Sequence, residues 1–305
     1  IGVAKVLAER GYRIDSITGC SMGALVGALI VTGHLKAYEE WVCQLTRRDV
    51  PKFRWNEEVA LDDRNTLRLP CTARVFAEAG DEVAILEAFA RADALGLPVH
   101  VLGGGSNVVL PPRIDGVVLQ LASTAAPSDL RGGIAEVPAG CDWDAFVRAA
   151  SGAGLWGVEN LALIPGRVGA APVQNIGAYG QELASSCVAV RAYDRASERF
   201  ETLSAADCRF AYRDSRFRRE PGRWLITRVS LRLEAEAAQR LDYPSLRDAM
   251  GSDVPSTAAE AAALVTRVRR ARLPDPAELP NAGSFFKNPV VHASAAERLR
   301  AAHAD

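Results

Sequence analysis

Two glycine-rich stretches decide the fold of this chain. The first, at 101–110, reads VLGGGSNVVL, and the second, at 164–180, reads IPGRVGAAPVQNIGAYG. The first follows a strand-like segment, and glycines at the end of a strand expose N–H groups that can bind a phosphate. A plain turn is the alternative interpretation, because the stretch matches neither GxGxxG nor a P-loop. The second stretch has few charges, and its small residues allow close backbone approach to a large flat cofactor.

Strand and helix patterns alternate around these stretches without a strict βαβ period, which predicts an α+β fold. Residues 73–77 and 99–102 have the composition of strands, and between them Asp81 caps a helical pattern. Residues 187–193 and 199–203 are expected to pair as a hairpin.

Two later elements show a clear periodicity. Residues 223–233 alternate as a strand does, with one face formed by Leu225, Thr227, Val229, Leu231 and Leu233. Thr257 and Glu260 have the spacing of a capping box, which predicts a helix ending near Arg270.

Composition excludes several classes of protein. The 305 residues suggest about two domains, and 49% hydrophobic with 24% charged residues is typical of a globular protein. A net charge of -1 argues against a protein that coats nucleic acid or an anionic membrane. The six cysteines form no CxxC pair, so we expect no metal site and reduced, cytosolic thiols. The longest apolar run, 24–32, is too short to cross a bilayer.

Residues 19–23, GCSMG, form a GxSxG motif between a short strand and a helix. This context favours Ser21 as a nucleophile, although small residues that let a strand and a helix pack closely would read the same way. Residues 1–50 resemble patatin-like acyl hydrolases, and Ser21 matches their nucleophile. Their oxyanion loop has no counterpart, and Asp115-Gly116 is the sole Asp-Gly pair. We therefore expect an incomplete hydrolase piece.

Two further motifs complete a second resemblance: FAYRDSRF at 210–217 and NAGSFFKNP at 281–289. Together with the glycine-rich stretches, and in this order, they resemble the UDP-N-acetylenolpyruvoylglucosamine reductases, flavoenzymes of peptidoglycan synthesis. The resemblance implies an FAD-binding fold of the vanillyl-alcohol-oxidase type, followed by a substrate domain. The expected division is a patatin-like piece at 1–50, a linker at 51–64, an FAD-binding domain at 65–272 and the start of a truncated substrate domain at 273–305.

The resemblance also implies which positions bind the cofactor. FAD contacts are expected at Gly103, Gly105, Ser106, Asn107, Ile164, Pro165, Gly169, Ala170, Ile176, Gly177, Ile226 and Arg269. Core packing is an equal alternative for Ile226. The implied reaction takes a hydride from NADPH through FAD to the enolpyruvyl group of a UDP-sugar.

Three residues match catalytic positions of the family. Arg213 would stabilise the developing enolate and Ser284 would donate the proton, while Tyr212 would orient the substrate. A surface ion pair is the alternative for Arg213, and a plain turn is the alternative for Ser284. Substrate contacts are expected at Tyr179, Tyr243, Arg272 and Asn288.

The sequence departs from the family at its ends. A catalytic glutamate near the family's C-terminus has no counterpart, since Glu297 lies in an amphipathic stretch that does not match. The chain runs from Ile1 to Asp305, so we expect a fused, truncated reading frame. Three functions stay open: a monomeric cytoplasmic reductase, a Ser21 acyl hydrolase, and a non-catalytic FAD-binding fragment.

Overall fold

The computed structural model describes residues 53–127, 130–236, 241–284 and 286–303. The chain divides into two compact units, Ile1–Pro51 and Lys52–Asp305. The Ser21 motif therefore lies outside the described residues. Among the described helices, none combines the length and the apolar character needed to cross a membrane.

The first sheet is mixed and has four strands, in the order β1-β2-β4-β3. Its strands are β1 (Phe53–Ala60), β2 (Thr72–Ala79), β3 (Val99–Val101) and β4 (Arg113–Leu121). β2 and β3 both run parallel to β4, whereas β1 is antiparallel to β2. The parallel pairing requires a crossover, and helix α1 (Glu82–Ala94) supplies it.

Helix α1 forms where the sequence predicts it. Asp81 accepts a hydrogen bond from the backbone N–H of Ala84 at 2.9 Å, so the N-cap is confirmed. Its buried face carries Ile85, Ala88 and Phe89, which pack against the first sheet. This burial, more than helix propensity, holds the helix in place.

The second sheet is antiparallel, in the order β5-β10-β8-β9. Its strands are β5 (Gly133–Pro138), β8 (Cys187–Asp194), β9 (Arg199–Ser204) and β10 (Trp224–Leu233). The predicted hairpin is confirmed as β8–β9. The predicted alternation is confirmed for Val229, Leu231 and Leu233, which share one core, but Leu225 belongs to the core of the first sheet and Ile226 joins the other three residues instead. A register shift between Ile226 and Arg228 against β8 interrupts the pairing, and Ile226 is buried beside Leu225.

Helices cover the core of the second sheet. They are α2 (Trp143–Gly152), α3 (Arg216–Arg219), α4 (Pro244–Met250) and α5 (Ala258–Arg270). A further helix, α6 (Ala293–Ala302), has no buried residue and takes no part in this core. Phe146 of α2 and Val265 of α5 are fully buried in this core. The capping box of Thr257 and Glu260 at the start of α5 is confirmed. A short hairpin is formed by β6 (Gly177–Ala178) and β7 (Gln181–Glu182), which lie between α2 and β8 in the sequence.

The structure differs from the linker expected over 51–64. Phe53–Ala60 is strand β1, and Asp62–Arg64 is a 3₁₀ turn that leads into a buried Asn65. The strand is at the edge of its sheet and mostly exposed, so its sequence carries charges where a central strand would be apolar. The charged residues of this segment therefore reflect its position at the edge of the sheet. The wider division at 1–50, 65–272 and 273–305 stays a prediction.

Candidate active site

The two glycine-rich stretches lie against each other. A β carbon on Gly104 would be 2.8 Å from the α carbon of Gly166, so both positions require glycine for this approach. The Ser106 hydroxyl donates a hydrogen bond to the Pro165 carbonyl at 3.0 Å. Ala170 packs at the same place, since its β carbon would be 3.2 Å from a β carbon on Gly103. The structure thus joins two stretches that the sequence identified separately.

A buried polar network supports the loop Gly103–Asn107 from behind. Gln120 in β4 is buried, and its side chain donates to the Gly103 carbonyl at 2.6 Å. Arg64 donates to Gln120 at 2.9 Å and lies over the ring of Phe76, 4.3 Å from its centroid. The sequence analysis missed Gln120 and Arg64. The signal was present, because Gln120 interrupts an apolar run in a central strand.

Gly105 fits the turn at residues 64–65. Its φ is +66°, and a β carbon there would lie 2.0 Å from the Arg64 carbonyl oxygen. The Gly105 carbonyl accepts from the backbone N–H of Thr66 at 3.2 Å. Asn107 is exposed, and its amide donates to the side chain of Gln174 at 2.9 Å.

The other predicted cofactor residues fall into two environments. Pro165 and Ala170 are exposed and Ile164 is half-buried. Ile176 and Ile226 are 8% and 7% exposed and belong to the core of the second sheet, and their contact with FAD stays a prediction. Gly169 allows close packing, since a β carbon there would be 2.5 Å from that of Ala139.

Arg213 is at the tip of a tight turn that faces this second stretch. Ala211 and Asp214 close the turn by exchanging backbone hydrogen bonds of 2.9 and 3.0 Å. The guanidinium of Arg213 donates to the carbonyls of Asn175, at 3.4 Å, and Gly177. Within the described part of the chain its hydrogen bonds go to carbonyls and not to a carboxylate, which departs from the ion-pair alternative.

The ring of Tyr212 is close to two cationic side chains. The guanidinium carbon of Arg213 is 5.3 Å from the Tyr212 ring centroid, and the ammonium of Lys287 is 5.4 Å from it. The second contact brings the predicted motif at 281–289 to the turn that carries Arg213.

Tyr179, Tyr243, Arg269 and Arg272 form a second group. The rings of Tyr179 and Tyr243 meet edge to face, with centroids 5.5 Å apart. Burial raises the pKa of Tyr179, while Arg269 and Arg272 act in the opposite direction. Burial lowers the pKa of Arg269, and its Nε is buried without a hydrogen-bond partner. A buried, unsatisfied guanidinium nitrogen favours an anionic or carbonyl ligand at this place.

The segment with Ser284 is anchored near the glycine loop. Asn281 donates its backbone N–H to the Thr66 carbonyl at 3.1 Å, and Arg68 donates to the Ala277 carbonyl. Ser284 and Asn288 are exposed. The structure brings Lys287 to Tyr212, but it shows no hydrogen bond from Ser284 or Asn288 to the other described site residues.

These residues fit FAD. Three successive glycines let the loop at 103–107 pack against Arg64, Gly166 and Ala170, as a loop that binds a phosphate through backbone N–H groups requires, and the facing stretch has small residues where a flat ring would lie. Arg269 adds the unsatisfied donor. Among the described residues, no group of three or more His, Cys, Asp and Glu side chains could hold a metal ion.

Two family models match this chain. The model of the FAD binding domain family matches residues 73–203, and the model of the patatin-like phospholipase family matches residues 1–99. Both models match residues 73–99. In this overlap strand β2 pairs with β4, and β4 lies within the range that the FAD binding domain model matches.

The relatives point to one enzyme. The UDP-N-acetylenolpyruvoylglucosamine reductase of Pseudomonas putida is 44% identical over 252 residues, which cover 81% of this chain and 74% of that protein. The same enzyme of Pseudomonas aeruginosa is 45% identical over 254 residues, covering 82% and 75%. The crystal structure of the Thermus caldophilus reductase matches with a TM-score of 0.59 at 28% identity, covering 78% of this chain and 76% of that one. The chain therefore belongs to the family of UDP-N-acetylenolpyruvoylglucosamine reductases.

Proposed function

We propose that the chain is an FAD-dependent oxidoreductase that uses NADPH to reduce the enolpyruvyl group of UDP-N-acetylenolpyruvoylglucosamine, giving UDP-N-acetylmuramate for peptidoglycan synthesis. One observation carries the proposal: Arg213 meets the backbone of the glycine-rich stretch that faces the Gly103–Asn107 loop. The permanent cation of Arg213 on this stretch supports the proposal that a flavin would bind beside it.

The glycine loop would hold the diphosphate of FAD. Gly103 and Gly105 keep the backbone close, and Ser106 and Asn107 add polar side chains. Arg269, whose buried Nε has no hydrogen-bond partner, would contact the cofactor from its position beside Tyr179. The face at 164–177 would contact the ring system. When bound, FAD supplies the hydride chemistry between NADPH and the substrate.

Arg213 would stabilise the charge that forms on the substrate. Hydride addition to the terminal vinyl carbon leaves negative charge on the adjacent carbon and its carboxylate. A guanidinium stays charged at any working pH, and here two carbonyls fix its position. Tyr212 supports the same guanidinium from its ring face.

Ser284 would complete the addition by donating a proton to the carbon beside the carboxylate. Hydride and proton together saturate the double bond, and NADPH is oxidised to NADP⁺. A serine hydroxyl is a weak acid and needs a neighbour that stabilises its alkoxide. Lys287 lies three residues after Ser284 in the same segment, and its ammonium group would be that neighbour.

The substrate group would bind beyond Arg213. Tyr179 and Tyr243 offer an aromatic corner, Arg272 would meet the diphosphate of the nucleotide, and Asn288 would contact the sugar. The ligands in this proposal are water-soluble and highly charged, which supports a reaction in the cytoplasm.

The visible spectrum of the 305-residue chain tests the proposal. We expect a flavin spectrum, anaerobic bleaching by NADPH, and reoxidation by the enolpyruvyl substrate. Arg213→Ala should slow reoxidation by about 1000-fold and Ser284→Ala by about 100-fold, with bleaching retained. Arg228→Ala, which breaks only an exposed ion pair with Glu136, is the control and should leave both steps unchanged. A chain that takes up no FAD would overturn the proposal.

A wild-type chain that binds FAD but is not reoxidised by the substrate would favour the alternative of a non-catalytic FAD-binding fragment. Unchanged reoxidation in both Arg213→Ala and Ser284→Ala would show that these residues do not carry the chemistry.

The match to patatin-like phospholipases over residues 1–99 favours a second candidate activity, acyl hydrolysis through Ser21. A fluorophosphonate probe forms a covalent bond with an activated serine. Labelling that disappears in Ser21→Ala would support this activity, and an unlabelled wild-type chain would exclude it.

A further inference from the structure

Asn175 ties together three segments that surround the Arg213 side chain. Asn175 is fully buried, and its Nδ2 donates to a Glu182 carboxylate oxygen at 2.7 Å and to the Ala211 carbonyl at 3.0 Å. Its Oδ1 accepts from the backbone N–H of Ala184 at 2.9 Å. One primary amide therefore joins its own segment to strand β7, to the residues after it, and to the turn that carries Arg213.

Asparagine is the residue type that suits this position. Its φ of 48° lies in the left-handed region, which asparagine adopts more readily than most residues. Two acceptors and one donor must be satisfied at once, and a primary amide does this. The amide orientation is fixed, because the reversed amide would set an N–H₂ group against the N–H of Ala184. Aspartate has the same shape but offers no donor.

The contact with Ala211 controls where Arg213 lies. Ala211 and Asp214 close a tight turn with two backbone hydrogen bonds, and only Tyr212 and Arg213 lie between them. Arg213 has a φ of 52°, so the tip is held in a conformation that a free loop would seldom populate. The side chain of Asn175 holds the base of this turn.

Two more contacts connect the turn to the same segment. The Arg213 guanidinium donates to the carbonyl of Asn175 itself at 3.4 Å. At the far end of the turn, the Ser215 hydroxyl donates to the Val173 carbonyl at 2.6 Å. The guanidinium and both ends of its turn are therefore attached to residues 173–177.

We propose that Asn175 is a positioning residue, whose side-chain amide fixes the Arg213 guanidinium over the flavin-facing segment. The catalytic consequence rests on the proposed function, since it requires Arg213 to act on the substrate. A shift of about 1 Å in such a group lowers a rate by about 100-fold. Asn175 acts through Arg213 and not on the substrate.

The first test observes the guanidinium group of Arg213 by NMR and needs no cofactor. In ¹⁵N NMR spectra of the full chain, the guanidinium signals of Arg213 are those missing from Arg213→Lys. We expect them to be resolved and protected from exchange in the wild type, and to broaden or vanish in Asn175→Asp. Ile85→Ala, a destabilising change in the core of the first sheet, is the control and should leave them in place.

The second test is a double-mutant cycle on the reoxidation of reduced flavin by the enolpyruvyl substrate. We expect Asn175→Asp alone to slow this step by about 100-fold, with FAD affinity changed by less than about threefold. Combined with Arg213→Lys, it should cause no further loss, because both changes disturb one group. Losses that multiply, or signals of Arg213 that stay protected in Asn175→Asp, would overturn the inference.

A second variant covers the case in which Asn175→Asp does not fold. Asn175→Gly accepts the positive φ without strain and removes the three side-chain hydrogen bonds alone, so it should give the same results. If the wild-type chain fails to bind FAD, the proposed function fails, and the guanidinium signals then decide the structural role of Asn175.

Discussion

Gly177 and Arg213 share a space that admits only one side chain. A β carbon on Gly177 would lie 2.4 Å from the Nη1 atom of Arg213 and 2.8 Å from the carbonyl oxygen of Gln181. The second distance involves backbone, which cannot move aside as a flexible side chain can. The absence of a side chain at Gly177 is therefore what allows the guanidinium to reach the carbonyl groups that hold it.

Gly177→Ala should displace Arg213. We expect reoxidation of the reduced flavin by substrate to slow by about 100-fold, since the cation moves by about 1 Å or more. Bleaching by NADPH should change much less. Gly152→Ala is the matched control, because a β carbon there meets nothing within 4 Å. Equal rates in Gly177→Ala and the wild type would contradict this role for Arg213.

Gly105→Ala should weaken cofactor binding. Gly105 has a φ of +66° and a new β carbon would lie 2.0 Å from the Arg64 carbonyl oxygen, so the loop must shift. Gly96→Ala makes the control, since its φ is +63° but nothing lies within 4 Å. Both variants should lose about 1 kcal/mol of stability from the left-handed backbone. FAD titration should show a weaker affinity in Gly105→Ala alone.

Gln120→Leu should also lower FAD affinity, by a different route. Leucine has a similar size but cannot donate to the Gly103 carbonyl or accept from Arg64. Two polar groups then lose a partner, which costs about 1–3 kcal/mol in the free energy of unfolding. Urea denaturation and FAD titration measure the two effects. A stable variant with wild-type affinity would show that the network does not support the loop.

Asp194 should make stability depend on pH. Arg223 forms two hydrogen bonds of 2.7 and 2.8 Å with this buried carboxylate and lowers its pKa from 3.8 to about 2. Because the folded-state pKa is below the unfolded one, the pair stabilises the fold above about pH 4. That contribution is lost as the pH falls from about 4 to about 2.

Asp194→Asn should therefore cost about 1–2 kcal/mol at pH 7, a figure reduced for the partial exposure of Arg223. The cost should shrink as the pH approaches 2. Glu136→Gln breaks an exposed pair with Arg228 and should cost less than about 0.5 kcal/mol. Urea denaturation over a range of pH measures both, and a pH-independent cost for Asp194→Asn would contradict the assignment.

The cysteines of the described region should be unreactive in the native state. Burial raises the pKa of Cys141 to about 11, and that of Cys187 and Cys208 to about 12, so almost no thiolate exists at pH 8. Iodoacetamide at pH 8 should leave these residues and the buried Cys71 unlabelled, and should label all of them in urea. Peptide mass spectrometry reads each site separately. Native labelling of Cys187 or Cys208 would contradict this burial.

Several local features follow from sequence alone because their causes are local. Asp81 caps α1, Thr257 and Glu260 form a capping box, and the alternation at 229–233 predicts the buried face of that half of β10. Each depends on residues within a few positions of one another. Strand β1 was not predicted, because an edge strand gains its stability from its partner β2, and its own residues are mostly exposed.

The sequence by itself determined the family, the FAD-binding class of fold and the order of the motifs, because each motif is a continuous string. Tertiary structure alone decided which strings meet: Gly104 on Gly166, Gln120 behind Gly103, and Asn175 holding the turn of Arg213. Such contacts join residues far apart in the chain and depend on backbone approaches of a few ångströms. No local sequence pattern predicts these contacts, since they depend on packing and hydrogen bonding between distant segments.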